Sequence, residues 1–223
     1  MLNWHFAIYN KLCVIRMDIH YFERFKKALE LGKRAEAAAA LKPFIESFSS
    51  FDEKADWTKG YLASEPIGHK VRHEVYENVI FPVLLEGYRR SDPWSLRWLA
   101  RTVQNLYQCD HLWMQIDRKT DYALLKELVE LCPDDDGARN DLLSRQIEGF
   151  HYSVHEWPAG ILYGRDGATI EECIEILEEV AYARSLDRGF LHERFLNDFE
   201  AKVHEYQQRL TRKSTLTATP PVI

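Results

Sequence analysis

The chain has 223 residues, 46% apolar and 29% charged, with a net charge of −6 at pH 7. That length and composition exclude general disorder and supply enough apolar side chains for a substantial core. Four cysteines without a CxxC pair argue against a zinc ribbon or a disulfide framework, and no segment approaches the roughly 20 apolar residues of a membrane span.

In chain order, residues 1–16 (MLNWHFAIYNKLCVIR) are apolar but broken by Asn3, His5, Asn10 and Lys11. They lack a basic start and a small-residue cleavage site, so they read as an N-terminal extension and not as a signal peptide. Met17 opens a better helix and offers an alternative start. From residue 17 to 211 the periodicity predicts a single all-α domain of about eight helices. They lie near 17–31, 33–49, 66–90, 92–108, 120–132, 137–157, 169–186 and 190–211. Several ends have a mechanism. Ser91-Asp92-Pro93 offers capping side chains and then a proline at the first helical turn, where its missing N–H costs nothing. Thr120 or Asp121 can cap the next helix, and Pro133 stops it. Thr169 followed by Glu171 and Glu172 sets acids at a helix start, where the dipole favours them. Pro43 and Pro82 fall inside helical patterns and are expected to kink or break them. VIFPVLLEGY around Pro82 is apolar on nearly every side, as a central helix would be. WPAGILYGRDG (157–167) is the clearest break, and residues 212–223 read as a flexible tail.

Short polar connectors predict antiparallel hairpins stacked on one another. The stretch LLKELVELCPDDDGARNDLLSRQIEGF (124–150) looks like the helix–Pro–Asp–helix phrase of tetratricopeptide-type repeats. No strict period continues on either side, so the expectation is a degenerate helical-repeat-like or irregular bundle.

Two stretches share the skeleton His-x-x-x-His-Glu, HKVRHE at 69–74 and HYSVHE at 151–156. Histidines four apart on a helix can grip a metal. In the first copy Ile67, Val71, Val75 and Val79 form the apolar stripe, and His69, His73 and Glu77 fall roughly 160° away on the polar face. In the second, Leu143, Ile147, Phe150, Val154 and Trp157 form the stripe, with His151 and His155 bordering it. A zinc protease needs its glutamate directly after the first histidine, but Glu74 and Glu156 follow the second. A di-iron site would want paired Glu-x-x-His motifs, and Glu148-x-x-His151 has no second copy. The expectation is no metal and no cofactor. There is no glycine-rich phosphate loop and no GxSxG. Cys109-Asp110-His111 reads as a buried or helix-end cysteine beside a histidine. No residue is assigned a catalytic role, and the chain is expected not to be an enzyme.

Charge is unevenly spread. Residues 120–187 hold 16 acids and 5 bases, a net of −11, while the rest of the chain is slightly basic. Asp134, Asp135 and Asp136 share one connector, and Glu171, Glu175 and Glu178 share one helix. A concentrated negative field attracts basic proteins and repels nucleic acid. Aromatics cluster beside it, mostly as helix packing, with a few available as exposed anchors. The candidate partner-binding residues are therefore Asp134, Asp135, Asp136, Glu171, Glu175, Glu178, His151, His155 and Trp157.

With stretches such as FPVLLEGYRRSDPWSLRWLARTVQNLY (81–107), this helical, acidic chain resembles the helical immunity proteins that bacteria encode beside secreted or contact-delivered toxins. The resemblance is one of overall style and transfers no site residues. It implies a cytoplasmic, non-catalytic protein that binds a basic cognate toxin domain, such as a nuclease, and blocks its active site or substrate groove. Direct nucleic-acid or membrane binding is not expected, and the oligomeric state is left open. A helical-repeat adaptor for an extended peptide is the alternative with the same fold. A metal-dependent helical-bundle enzyme using His151 and His155 is the other.

Overall fold

The structure, a computed structural model, describes residues 19–64 and 71–217. The 1–16 extension, Met17, Ile67, His69 and positions 218–223 of the expected tail lie outside the described residues. The chain is all-α. Its helices are α1 (residues 19–30), α2 (Arg34–Glu46), α3 (Phe51–Ser64), α4 (His73–Val75), α5 (Phe81–Arg89), α6 (Pro93–Arg101), α7 (Val103–Tyr107), α8 (Asp110–Trp113), α9 (Asp121–Leu131), α10 (Asp136–Ser153), α11 (Ile170–Leu186) and α12 (Glu193–Thr217). A π turn (Tyr76–Ile80) joins α4 to α5, a 3-10 turn (Met114–Ile116) follows α8, and β1 (Leu162–Tyr163) pairs antiparallel with β2 (Asp166–Gly167). These elements form two compact units divided between Leu124 and Leu125, within α9.

In the first unit, α1 ends on Gly32 at φ 71°, where the Lys33 N–H reaches the Ala28 carbonyl at 2.8 Å and the Gly32 N–H reaches Leu29 at 2.9 Å. That is the Schellman arrangement, and glycine suits it because it carries no Cβ. The Phe22 ring lies 4.9 Å from Phe44 and 5.1 Å from Trp57, and Trp57 stacks on Tyr61 at 4.8 Å. Farther along, Tyr76, Val79, Ile80, Leu84, Leu96, Leu99 and Leu106 are fully buried. The Thr102 hydroxyl donates to the Trp98 carbonyl at 2.6 Å, so the buried Tyr76 hydroxyl donates to Thr102 Oγ1 at 3.0 Å. Helices α5 and α6 close tightly on Gly87: a β-carbon there would meet Ser95 Cβ at 2.7 Å.

Pro82 interrupts the α-helical hydrogen bonding but not the helix, whose backbone stays right-handed through Ile80 and Phe81. The backbone widens into the π turn just before it, and Pro82 becomes a first-turn residue of α5. Proline has no N–H to offer the Asn78 carbonyl, and Lys54 Nζ donates to that oxygen at 3.3 Å. Pro43, by contrast, sits within α2, which continues to Glu46.

In the second unit, consecutive helices pack on one another, α10 against α11 and α11 against α12. Phe150 stacks on Phe199 at 4.6 Å, and Cys173, Val180, Ala183, Leu196 and Val203 fill the interior around them. The Arg209 guanidinium lies 4.8 Å from the Trp157 ring and 5.6 Å from that of Tyr206, and it donates to the Pro158 carbonyl at 2.6 Å. This fastens the turn after α10 to α12.

Several expected boundaries need correction. α3 lies where a connector was expected; its polar sequence buries only Thr58 and Leu62, too weak a stripe to show in the pattern. The expected helix 92–108 divides at Thr102 into α6 and α7, and α8 follows unanticipated. The expected 137–157 helix ends at Ser153, and the 157–167 break contains the hairpin. α12 runs to Thr217, so residues 212–217 are helical and not part of a loose tail.

Candidate functional site

The residues singled out for partner binding lie in the second unit, and local structure already employs several. Asp135 caps α10, its carboxylate accepting from the Ala138 N–H at 3.0 Å. Asp136 pairs with Arg139, whose buried guanidinium also donates to the Pro133 carbonyl at 2.9 Å. Asp134 is exposed in the turn that precedes α10. His151 packs its ring on Phe195 at 4.2 Å, and Trp157 is covered by Arg209. His155 lies past the end of α10, so it and His151 do not form an i,i+4 pair on one helical face. The metal reading of HYSVHE loses its geometric basis there.

Glu171, Glu175 and Glu178 keep their charge facing solvent. At 100° per residue they fall within about 60° of one another on α11. All three are exposed, as is Ile174 between them, and among the described residues none forms an ion pair. The Tyr163 hydroxyl donates to Glu175 at 2.7 Å. That hydrogen bond first, then burial and the neighbouring carboxylates, raises the Tyr163 phenol above its ordinary range.

The same helix leads into a loop whose importance the sequence did not suggest. Asp187 ends α11, is 5% exposed, and accepts the backbone N–H groups of Leu191 at 3.0 Å and His192 at 2.7 Å. The loop so held carries Phe190 and Leu191 into solvent, 70% and 85% exposed. Phe190 has a left-handed backbone at φ 53°, a region bulky residues rarely adopt. Beside it opens a cleft of about 550 Å³ lined in part by Asp136, Arg139, Leu143, Asp187, Leu191 and His192. The available sequence signal was the turn run Asp-Arg-Gly directly before Phe-Leu.

A second constellation lies in the first unit. Cys109 takes the N-cap position of α8 at φ −143° and ψ 82°. Its buried Sγ lies 3.1 Å from His111 Nδ1. His111 Nε2 is 2.9 Å from Glu77 Oε1, and the other Glu77 oxygen is 3.5 Å from His73 Nε2. One ligand atom each from His73, Glu77 and Cys109 lies within 4.8 Å of the others. Arg118 grips Asp110 through two hydrogen bonds of 3.0 and 2.9 Å, which fixes the start of α8 and holds the Asp110 carboxyl below its ordinary range. A thiol, two imidazoles and a carboxylate can relay protons or hold a soft to borderline metal. The expected polar face of His73 and Glu77 is present. What the pattern could not show is that Cys109 and His111 meet it.

Among the described residues no helix is long and apolar enough to cross a membrane. No family model matches the chain, and neither a curated protein nor a solved structure matches it.

Proposed function

We propose that the chain is a non-catalytic binding protein of the immunity type, whose second unit takes a basic toxin domain. The observation that carries this reading is the loop at residues 187–192. Two adjoining large apolar side chains, Phe190 and Leu191, are 70% and 85% exposed on a backbone held by the buried Asp187 carboxylate. Ordering a strained loop to present an aromatic ring to water stabilises nothing within the free chain. It suits a partner pocket that buries the ring, since interface energy concentrates in a few such anchors.

The stripe Glu171, Glu175 and Glu178 supplies the electrostatic part. It rises along α11 toward the same loop, with about 12 Å of helix between Glu178 and Leu186. Uncompensated carboxylates steer a basic partner and disfavour nucleic-acid phosphates, so the proposal includes no direct nucleic-acid contact. Cys109, Cys132 and Cys173 are free thiols, which suits a reducing cytoplasm, the compartment we assign.

The gene directly upstream should encode a toxin, and its C-terminal domain should co-purify with this chain and cease to inhibit growth when the two are co-expressed. Toxicity undiminished by co-expression would sink the proposal. An intact complex after Leu191→Asp would remove the loop from it.

A further inference from the structure

We infer that His73, Glu77 and Cys109, with His111 between Cys109 and Glu77, form a binding site for one zinc-class divalent ion, joining the α4–π-turn segment to the start of α8. The site lies in the first unit and is independent of the proposed partner surface.

The geometry carries the inference. With metal–ligand bonds of about 2.0–2.3 Å, a tetrahedral zinc shell has edges of about 3.3–3.8 Å between donor atoms. Cys109 Sγ and His111 Nε2 are 3.6 Å apart, and His73 Nε2 and Glu77 Oε2 are 3.5 Å apart. One ligand atom each from His73, Glu77 and Cys109 lies within 4.8 Å of the others, and His111 spans Sγ at 3.1 Å through Nδ1 and Glu77 Oε1 at 2.9 Å through Nε2. The three donors would close by up to about an ångström around the ion. A simple surface ion pair would need only His111 and Glu77. A buried thiol and a second imidazole converging on the same carboxylate exceed that need.

The donor set also selects the ion. Thiolate with imidazole favours zinc-class metals over magnesium or calcium, which prefer all-oxygen shells. Three protein donors, His73, Glu77 and Cys109, leave a fourth tetrahedral position that His111 adjoins. Binding releases the Cys109 thiol proton to solvent. His73 and His111 are 41% and 61% exposed at their side chains, so an ion can reach them from water. The π turn begins at Tyr76, between His73 and Glu77, and such turns recur at functional positions.

The test uses the full chain with Zn²⁺ and Co²⁺ as probes. We expect one equivalent of zinc retained through dialysis, a thiolate-to-cobalt charge-transfer band, and protection of Cys109 from iodoacetamide. Cys109→Ser should abolish the band. His73→Ala and Glu77→Gln, which touch half-exposed side chains, should weaken zinc by at least the roughly 10–100-fold that loss of an outer-shell partner costs. His155→Ala should change nothing. Zinc retained equally by all these variants would overturn the inference. So would alkylation of Cys109 that depends on His111 and is indifferent to zinc, the behaviour of an activated thiol.

Discussion

Phe190 holds a left-handed backbone that costs a residue with a β-carbon about 1–2 kcal/mol. Phe190→Gly removes the strain and the ring together. The free chain should resist urea better by about 1 kcal/mol, while the partner complex weakens by at least about tenfold. A complex of unchanged affinity would show that the ring is not an anchor. Tyr76 presents the opposite case, a buried hydroxyl that donates to Thr102 at 3.0 Å. Tyr76→Phe leaves Thr102 still bonded to the Trp98 carbonyl and should cost about 1 kcal/mol in denaturant unfolding. At this scale the sequence was informative where a side chain acts on its own backbone. Asp92 and Thr120, offered as caps, do cap their helices, and at the expected start of α11 Thr169 forms a capping box with Glu172. It was silent about Phe190, because exposure depends on what does not pack against a residue.

Among the elements, the approach of α5 to α6 is set by the absence of a side chain at Gly87. Gly87→Ala forces its methyl group against the buried Ser95 and should destabilise the fold by about 1–3 kcal/mol. A variant with an unchanged unfolding midpoint would mean that the two helices separate freely. On α11 the three exposed glutamates repel one another. Glu178→Lys should therefore steady the free helix by about 0.2–0.5 kcal/mol while reducing affinity for a basic partner, most strongly at low salt. An affinity loss independent of ionic strength would exclude steering as its cause. Strong helices were legible from periodicity, whereas α3 was not. Its buried set is too small to mark a face, and its position is supported by Trp57 and Tyr61 packing on Phe22.

At the scale of the whole molecule, burial and carboxylate neighbours bias several acids in one direction. Burial pushes the Tyr76 phenol well above its ordinary value of 10.0, and Tyr163, Tyr182 and Tyr206 are also raised. Burial likewise raises the Cys173 thiol above 9.0. Each group holds its proton more tightly when folded than when unfolded. Their contribution is thus complete below the unfolded values and is lost as pH rises through 9 to 10 and beyond. Urea midpoints should stay level to about pH 9 and then fall, and Tyr76→Phe should lessen the fall. A midpoint that rises above pH 10 would contradict this ordering. The sequence by itself determined the helical class, most helix starts and the acidic block, because propensity, capping and charge act within a few residues along the chain. Only the tertiary structure decided that His73 and Glu77 meet Cys109 and His111, and that Phe190 and Leu191 face water. Those facts depend on how segments more than thirty positions apart pack, and on which surfaces remain uncovered afterward.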